Sequence, residues 1–254
     1  MTQSNPFSLA GKVALVTGAN TGLGQGIAIA MAQAGADIVA VGRSSANDTE
    51  REVAALGRKL HSVYADLERS HEAERIVAQA IDAAGRVDIL VNNAGLIRRA
   101  DALVFTESDW DAALDVNLKT PFFLAQAVAQ QLVKVGRPGK VINIASMLSF
   151  QGGIRTASYT ASKSGLAGIT KLLANEWASK GINVNAIAPG YFETNNTSAL
   201  RSDEQRSKDI LARIPAARWG SPADLGGAAV FLASAASDYI HGTILPVDGG
   251  WLAR

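Results

Sequence analysis

Cysteine is absent from the 254 residues, which excludes disulfides and thiolate metal sites and is compatible with a reducing compartment. Histidine is scarce. His61, His71 and His241 are scattered without ligand spacing, so no metal site is expected. No apolar run approaches the roughly 18 residues that a membrane crossing needs. The opening MTQSNPFSLAGK has no basic segment leading into an apolar run. No signal peptide is therefore expected, and the cytoplasm is the expected setting. Neither sign of charge is in excess: 24 Lys and Arg stand against 23 Asp and Glu, a formal net charge of +1. That balance leaves nucleic acid and charged membrane surfaces without a footprint.

What the chain does have is ample core material, with 48% hydrophobic and 19% charged residues. Short runs rich in Val and Ile recur at 12–18, 37–42, 60–65, 87–95, 140–146, 182–190 and 243–250. Such runs suit strands covered on both faces. Between them lie stretches with helical spacing, among them GQGIAIAMAQAGA, AERIVAQAIDAAG, DWDAALDVNLKTPFFLAQA and YTASKSGLAGITKLLANEWASKG. Gly35, Gly85 and Gly181 stand where helix C-caps are expected. Alternating strands and helices predict an α/β fold, a doubly wound parallel sheet of Rossmann type in a three-layer αβα sandwich. A single domain over 1–254 is expected, with no linker or repeat. The polar segment 191–221 follows a strand end, where open α/β sheets bind ligands, and reads as a mobile lid over a site.

TGANTGLG (17–24) follows the first predicted strand and opens a helix. Its glycines permit a tight turn and close backbone approach, and the helix N-terminus beyond favours a phosphate. The G-x3-G-x-G spacing departs from the G-x-G-x-x-G fingerprint, so position carries the reading of a dinucleotide site over that of a plain turn. At the end of the second strand Gly42 stands where a ribose-binding acid is expected, and Arg43 follows. An arginine there suits a 2′-phosphate, or it is a solvated loop residue. Asp66, after the third strand, is placed for an adenine amino group or for a local capping role.

Tyr159 and Lys163 lie four residues apart and share a helix face. A unit charge about 4 Å from the phenol, at an effective dielectric of ~20, favours phenolate by about 4 kcal/mol, some three pKa units. That shift would bring a phenol near working pH. By itself such a pair is equally a surface contact.

Together, TGANTGLG, NNAG (92–95), Ser146, YTASK (159–163) and PGYFET (189–194) resemble the short-chain dehydrogenase/reductase family, in order over nearly the whole chain. The resemblance implies a catalytic tetrad of Asn117, Ser146, Tyr159 and Lys163. In it Tyr159 exchanges the proton, Lys163 tunes it, Ser146 orients the reacting oxygen and Asn117 holds a water on the proton path. It implies cofactor contacts from Gly18, Asn20, Gly22, Leu23, Gly24, Arg43, Asp66, Leu67, Tyr159 and Lys163. Asn92, Asn93, Ala94 and Gly95 would line the adenosine side, and Pro189, Gly190 and Thr194 would border the nicotinamide. The resemblance points to NAD and Arg43 to NADP; NAD is the expected cofactor, with NADP as the alternative. NNAGLIRRADAL, INIASMLSFQGGIR and DGGWLAR extend the likeness to members acting on deoxy sugar acids, which implies a sugar-acid substrate. Ser146, Gln151, Arg98 and Arg155 are the candidate substrate contacts. A homotetramer is the family expectation, with helix 159–180 and the tail DGGWLAR as interface pieces. Two other readings share parts of the pattern: a 3-ketoacyl carrier-protein reductase, and a dinucleotide-sensing protein without catalysis.

Overall fold

The computed structural model describes residues 5–254. Its strands fall on the seven apolar runs: β1 Val13–Thr17, β2 Asp37–Gly42, β3 Leu60–Tyr64, β4 Ile89–Asn92, β5 Gly139–Ile144, β6 Ile182–Pro189 and β7 Ile244–Val247. All pairings are parallel, and the order is β3-β2-β1-β4-β5-β6-β7. The helices are α1 Gly22–Gln33, α2 Asn47–Ala55, α3 Ala73–Ala84, α4 Glu107–Leu114, α5 Thr120–Lys134, α6 Ala157–Trp177, α7 Ser198–Ser202, α8 Glu204–Arg213 and α9 Pro222–Ala233. Among the described residues no helix is long and apolar enough to cross a membrane.

Every residue of β1 and β6 is buried, because helices cover both faces of the sheet. Alternate side chains go to opposite faces. Val13, Leu15, Val39 and Val41 join a core with Ile76, Leu124 and Leu173 of α3, α5 and α6. Ala14, Val16, Ile38 and Ala40 join a second core with Ile27, Met31 and Leu225 of α1 and α9. Each fully buried Leu or Ile contributes about 1.5–3 kcal/mol, so the two cores hold the three layers together.

The chain builds outward from β1 through β2 to β3, then returns to place β4 on the other side of β1. At that reversal the connections leave in opposite directions and open a crevice at the carboxyl ends of the strands. The segment after β6 carries α7 and α8 across this crevice. Gly85 caps α3 in the left-handed conformation, as expected, Gly181 likewise ends the short 3-10 turn Ala178–Lys180 that extends α6, and Gly35 follows α1 two residues past its end, after the C-cap Ala34. One predicted helix differs. The stretch 109–127 is interrupted by a wide turn at Asp115–Lys119, with π-type hydrogen bonding between α4 and α5. Such turns are uncommon and gather at functional sites.

Candidate active site

The crevice is a cleft of about 900 Å3. One wall is the glycine turn after β1. The Thr17 hydroxyl accepts from the amides of Asn93 and Ala94, both at 3.0 Å, and Asn93 Nδ2 donates to Thr17 O at 2.9 Å. These bonds fix the loop after β4 against the end of β1. A Cβ on Gly24 would lie 2.2 Å from Gly18 O and 2.4 Å from Asn93 Nδ2, so only glycine fits there. The first turn of α1 has no acidic side chain, and Thr21 makes no side-chain capping bond. Its free amides therefore favour an anion. This cradle fits the pyrophosphate of a dinucleotide.

Gly18, Asn20, Gly22, Leu23, Gly24, Arg43, Asp66, Leu67, Asn93, Ala94, Gly95, Pro189, Gly190 and Thr194 all line the same cleft. Thr194 lies beside the glycine turn, since a Cβ on Gly22 would meet its Cγ2 at 3.6 Å. Gly190 has a packing reason besides: a Cβ there would lie 2.6 Å from the Asp248 backbone. Asp66 Oδ1 accepts from the Glu68 amide at 3.2 Å, a local turn contact. Asn92, expected on the adenosine side, is not there. It is a buried β4 residue whose Nδ2 donates to Pro121 O and Asn143 Oδ1, because the alternation of the strand turns it into the sheet's own covering layer.

Ser146, Tyr159 and Lys163 form the facing wall. Ser146 follows β5, and its Oγ accepts from the Leu148 amide at 3.2 Å. Lys163 is buried on α6, donates from Nζ to Ile144 O at 2.6 Å, and lies 5.7 Å from the centre of the Tyr159 ring. Ser149 Oγ donates to Lys163 O at 2.7 Å and ties this turn of α6 to the loop after β5.

Asn117 sits in the wide turn, fully buried. Its Oδ1 accepts from Leu96 N at 2.7 Å, and its Nδ2 donates to Leu96 O at 2.8 Å and to Ser162 Oγ at 3.1 Å. The side chain thus mimics a backbone partner for Leu96. It clamps the loop after β4 to α6, a positioning contact.

The electrostatics differ from the expectation. Burial pushes the Tyr159 phenol up, while contact with the Ser146 hydroxyl and the nearby Arg99 charge pull it down. Burial pushes Lys163 down to about 8, since the charged form loses solvation. Desolvation outweighs the pairwise attraction that the spacing alone suggests.

Of the substrate candidates, Gln151 and Arg155 line the cleft, Gln151 accepting from Trp251 Nε1 at 3.3 Å. Arg155 adopts a left-handed φ of 59°. Arg98 does not line the cleft. It pairs with Asp109 at 3.1 Å, and the next residue, Arg99, takes the inward place. In an irregular loop no periodicity tells which of two consecutive arginines faces in. Arg99 also donates to Asn196 O at 3.2 Å, across to the segment after β6.

Three further cleft residues were given no site role from the sequence: Tyr191, read only within PGYFET, Trp251, read only within the tail DGGWLAR as an interface piece, and Arg213. Trp251 packs beneath Tyr191, with ring centres 4.8 Å apart, and the Arg213 guanidinium lies 3.9 Å over its ring. The segment DGGW carried the only signal for Trp251, a lone aromatic after a glycine turn. Arg99, Arg155, Arg206 and Arg213 all line the cleft, and among the described residues none of them is paired with a carboxylate.

Comparison with known proteins is consistent with this geometry. The profile of the family adh_short_C2, described as enoyl-(acyl carrier protein) reductase, matches residues 18–252. The chain is 60% identical to 2-dehydro-3-deoxy-D-gluconate 5-dehydrogenase of Escherichia coli, over 98% of either chain. It is 59% identical to the protein of that name from Dickeya dadantii, over 98% of this chain and 99% of the other. A crystal structure from Agrobacterium tumefaciens, described as a candidate 2-deoxy-D-gluconate 3-dehydrogenase with bound NADP, is 60% identical. It superposes with a TM-score of 0.94 over 99% of this chain and all of the other.

Proposed function

Because the chain belongs to the short-chain dehydrogenase/reductase family, we propose that it is an NAD(P)-dependent oxidoreductase acting on a secondary alcohol or ketone of a deoxy sugar acid. The observation that carries this reading is the pairing of two walls in one cleft. A phosphate cradle at the glycine turn faces Ser146, Tyr159 and Lys163. The named relatives, at 59–60% identity over nearly full length, support the sugar-acid substrate.

Bound along the cleft, a nicotinamide dinucleotide supplies hydride transfer. The chain's own residues manage binding and the proton. The α1 N-terminus and the Gly18–Gly24 turn would hold the pyrophosphate. Tyr159 gives its phenolic proton to the substrate carbonyl in reduction, or takes it from the hydroxyl in oxidation. Ser146 hydrogen-bonds the same oxygen and orients it. Lys163 places a positive charge beside the Tyr159 ring and favours phenolate. Asn117 is a positioning residue that keeps Leu96 and α6 in register.

Arg99 holds the substrate carboxylate. Its charge already reaches Tyr159, and it has no carboxylate partner among the described residues. Its bond to Asn196 O ties that position to the 191–221 segment, which we read as a lid. Homotetramer assembly is the proposed state, supported by exposed Phe123 and Val133 on α5 and Leu172 on α6; the cytoplasm is the proposed setting.

The test is a substrate panel followed by reduced-nicotinamide absorbance, with NAD and NADP in separate arms. Turnover of 2-dehydro-3-deoxy-D-gluconate or 2-deoxy-D-gluconate is expected. Turnover of a carrier-bound 3-ketoacyl group in their place, or of nothing on the panel despite dinucleotide binding, would overturn the substrate assignment.

A further inference from the structure

At the adenosine end of the cleft the side chains at the ends of β2 and β3 meet. Gly42 closes β2, and a Cβ there would meet nothing within 4 Å, so the space beside the ribose is open and no carboxylate occupies it. Dehydrogenases that prefer NAD often place an acid here, to accept from the ribose 2′-hydroxyl. In this chain the carboxylate comes from the loop that follows the neighbouring strand, β3. β2 and β3 run in register with Gly42 opposite Tyr64, and the loop after β3 brings Glu68 Oε1 to 3.7 Å from Arg43 Nη1. Both side chains line the cleft and both are half-open to solvent, 69% and 42% exposed.

We propose that Glu68 is a specificity-determining residue that occupies Arg43 in place of a 2′-phosphate and so sets the balance between NAD and NADP. The inference rests on the nicotinamide-cofactor reading above. Its logic is charge arithmetic at one end of the cleft. There the lining is Gly18, Asn20, Gly42, Arg43, Ser44, Asp66, Leu67 and Glu68, with Arg43 the single cation against two carboxylates. A 2′-phosphate adds about −1.5 to −2 charge. It must draw Arg43 from Glu68 and then sit near Glu68 uncompensated. NAD brings no such charge, and the Arg43–Glu68 pair persists beside its 2′-hydroxyl. Arg43 by itself would favour NADP; Arg43 restrained by Glu68 gives a site that takes either cofactor with little discrimination. Because the pair is exposed its strength is modest, which is what a site open to both cofactors requires.

The test is calorimetric titration of the full chain with NAD and with NADP at low ionic strength, where exposed charges are least screened. The variants are E68Q, R43A and R43A/E68Q. Glu68→Gln keeps shape and hydrogen bonding while removing charge. It is expected to tighten NADP about 3- to 10-fold and to move NAD less than about 2-fold. In the R43A background the same change is expected to help NADP clearly less, because the competition it relieves is gone. An unchanged NADP/NAD ratio in E68Q overturns the inference. So does a gain for NADP that is as large without Arg43 as with it, since Glu68 would then act by plain repulsion. If the parent chain binds neither dinucleotide, the cofactor reading itself falls, and this inference with it.

Discussion

The Lys163 ammonium stands 5.7 Å from the centre of the Tyr159 ring and donates a hydrogen bond to the Ile144 carbonyl at 2.6 Å, not to the phenol. Its influence on the tyrosine is therefore through space, within a wall where desolvation is the larger force. The proton chemistry rests on Tyr159 itself. Tyr159→Phe keeps the ring and removes the ionisable oxygen. A loss in kcat of at least about 100-fold is expected, with dinucleotide affinity nearly unchanged. Single-turnover kinetics alongside cofactor titration checks it, and near-normal turnover would remove Tyr159 from the proton step.

The Lys163 charge is itself titratable. Burial sets its pKa to about 8, so the cation is present at neutral pH and fades as pH rises through that value. Its help to the phenol must fade with it. Lys163→Met should cost most below pH 8, and the gap between parent and variant should narrow toward pH 9. A kcat/KM profile of both proteins from pH 6 to 10 reads this directly. A constant ratio across the range would mean that the charge does not act on Tyr159.

Arg98 and Arg99 are neighbours with opposite assignments. A charge-assisted bond contributes about 1.5–3 kcal/mol, so Arg99→Ala should raise KM for the sugar acid about 10-fold or more. The same variant should barely affect a neutral analogue with the same carbinol. Arg98→Ala, which loses only the exposed pairing with Asp109, should leave both substrates near parent values. Equal losses on acid and neutral substrate in Arg99→Ala would place the carboxylate elsewhere, on Arg206 or Arg213 of the α8 side.

A stability prediction concerns α9. Asp224 pairs with Arg218 at 2.7 Å and accepts from Ser221 N at 2.7 Å, and these contacts, the guanidinium first, hold its carboxyl far below the usual carboxylate range. A folded pKa below the unfolded value of ~3.9 means stability that is complete above about pH 5 and is lost as pH falls. Asp224→Ala should cost about 1 kcal/mol at pH 7, since it removes the N3 acceptor of the capping box whose N-cap is Ser221. Urea unfolding should show that difference shrinking as pH drops from 5 toward 3. A cost that does not depend on pH would assign the effect to packing.

The inner strands, β1 and β6 among them, were legible because burial on both faces leaves a nearly unbroken apolar signature, while β3 and β7 at the sheet edges are only partly buried and were marked by shorter β-rich runs. Ser146, Tyr159 and Lys163 were legible from motif and spacing, and they do share a wall. What escaped depended on contacts distant in sequence. Arg99 was missed because consecutive loop residues carry no period. Trp251 was missed because its partners, Gln151, Tyr191 and Arg213, come from three separate segments. The upward push on Tyr159 was missed because a four-residue spacing reports a possible neighbour and says nothing about lost water. Asn92 and Asn93 divided between sheet and cleft at the last residue of β4, a boundary the sequence does not mark.

The wide turn at Asp115–Lys119 also has a mechanical consequence. From Glu107 to Lys134 the backbone is one rod, yet its first part packs on α6 and its second on α3. An ordinary helix keeps one stripe facing one way, and each residue turns it by about 100°. One surplus residue in the middle resets the phase, so a single rod serves two neighbours that lie in different directions. Deleting that residue would rotate everything downstream by about the same angle, carrying Phe122 and Leu124 out of their layer while α4 stayed seated. Insertions and deletions inside 107–134 are thus far less tolerable than substitutions, even at positions where the side chain touches only solvent.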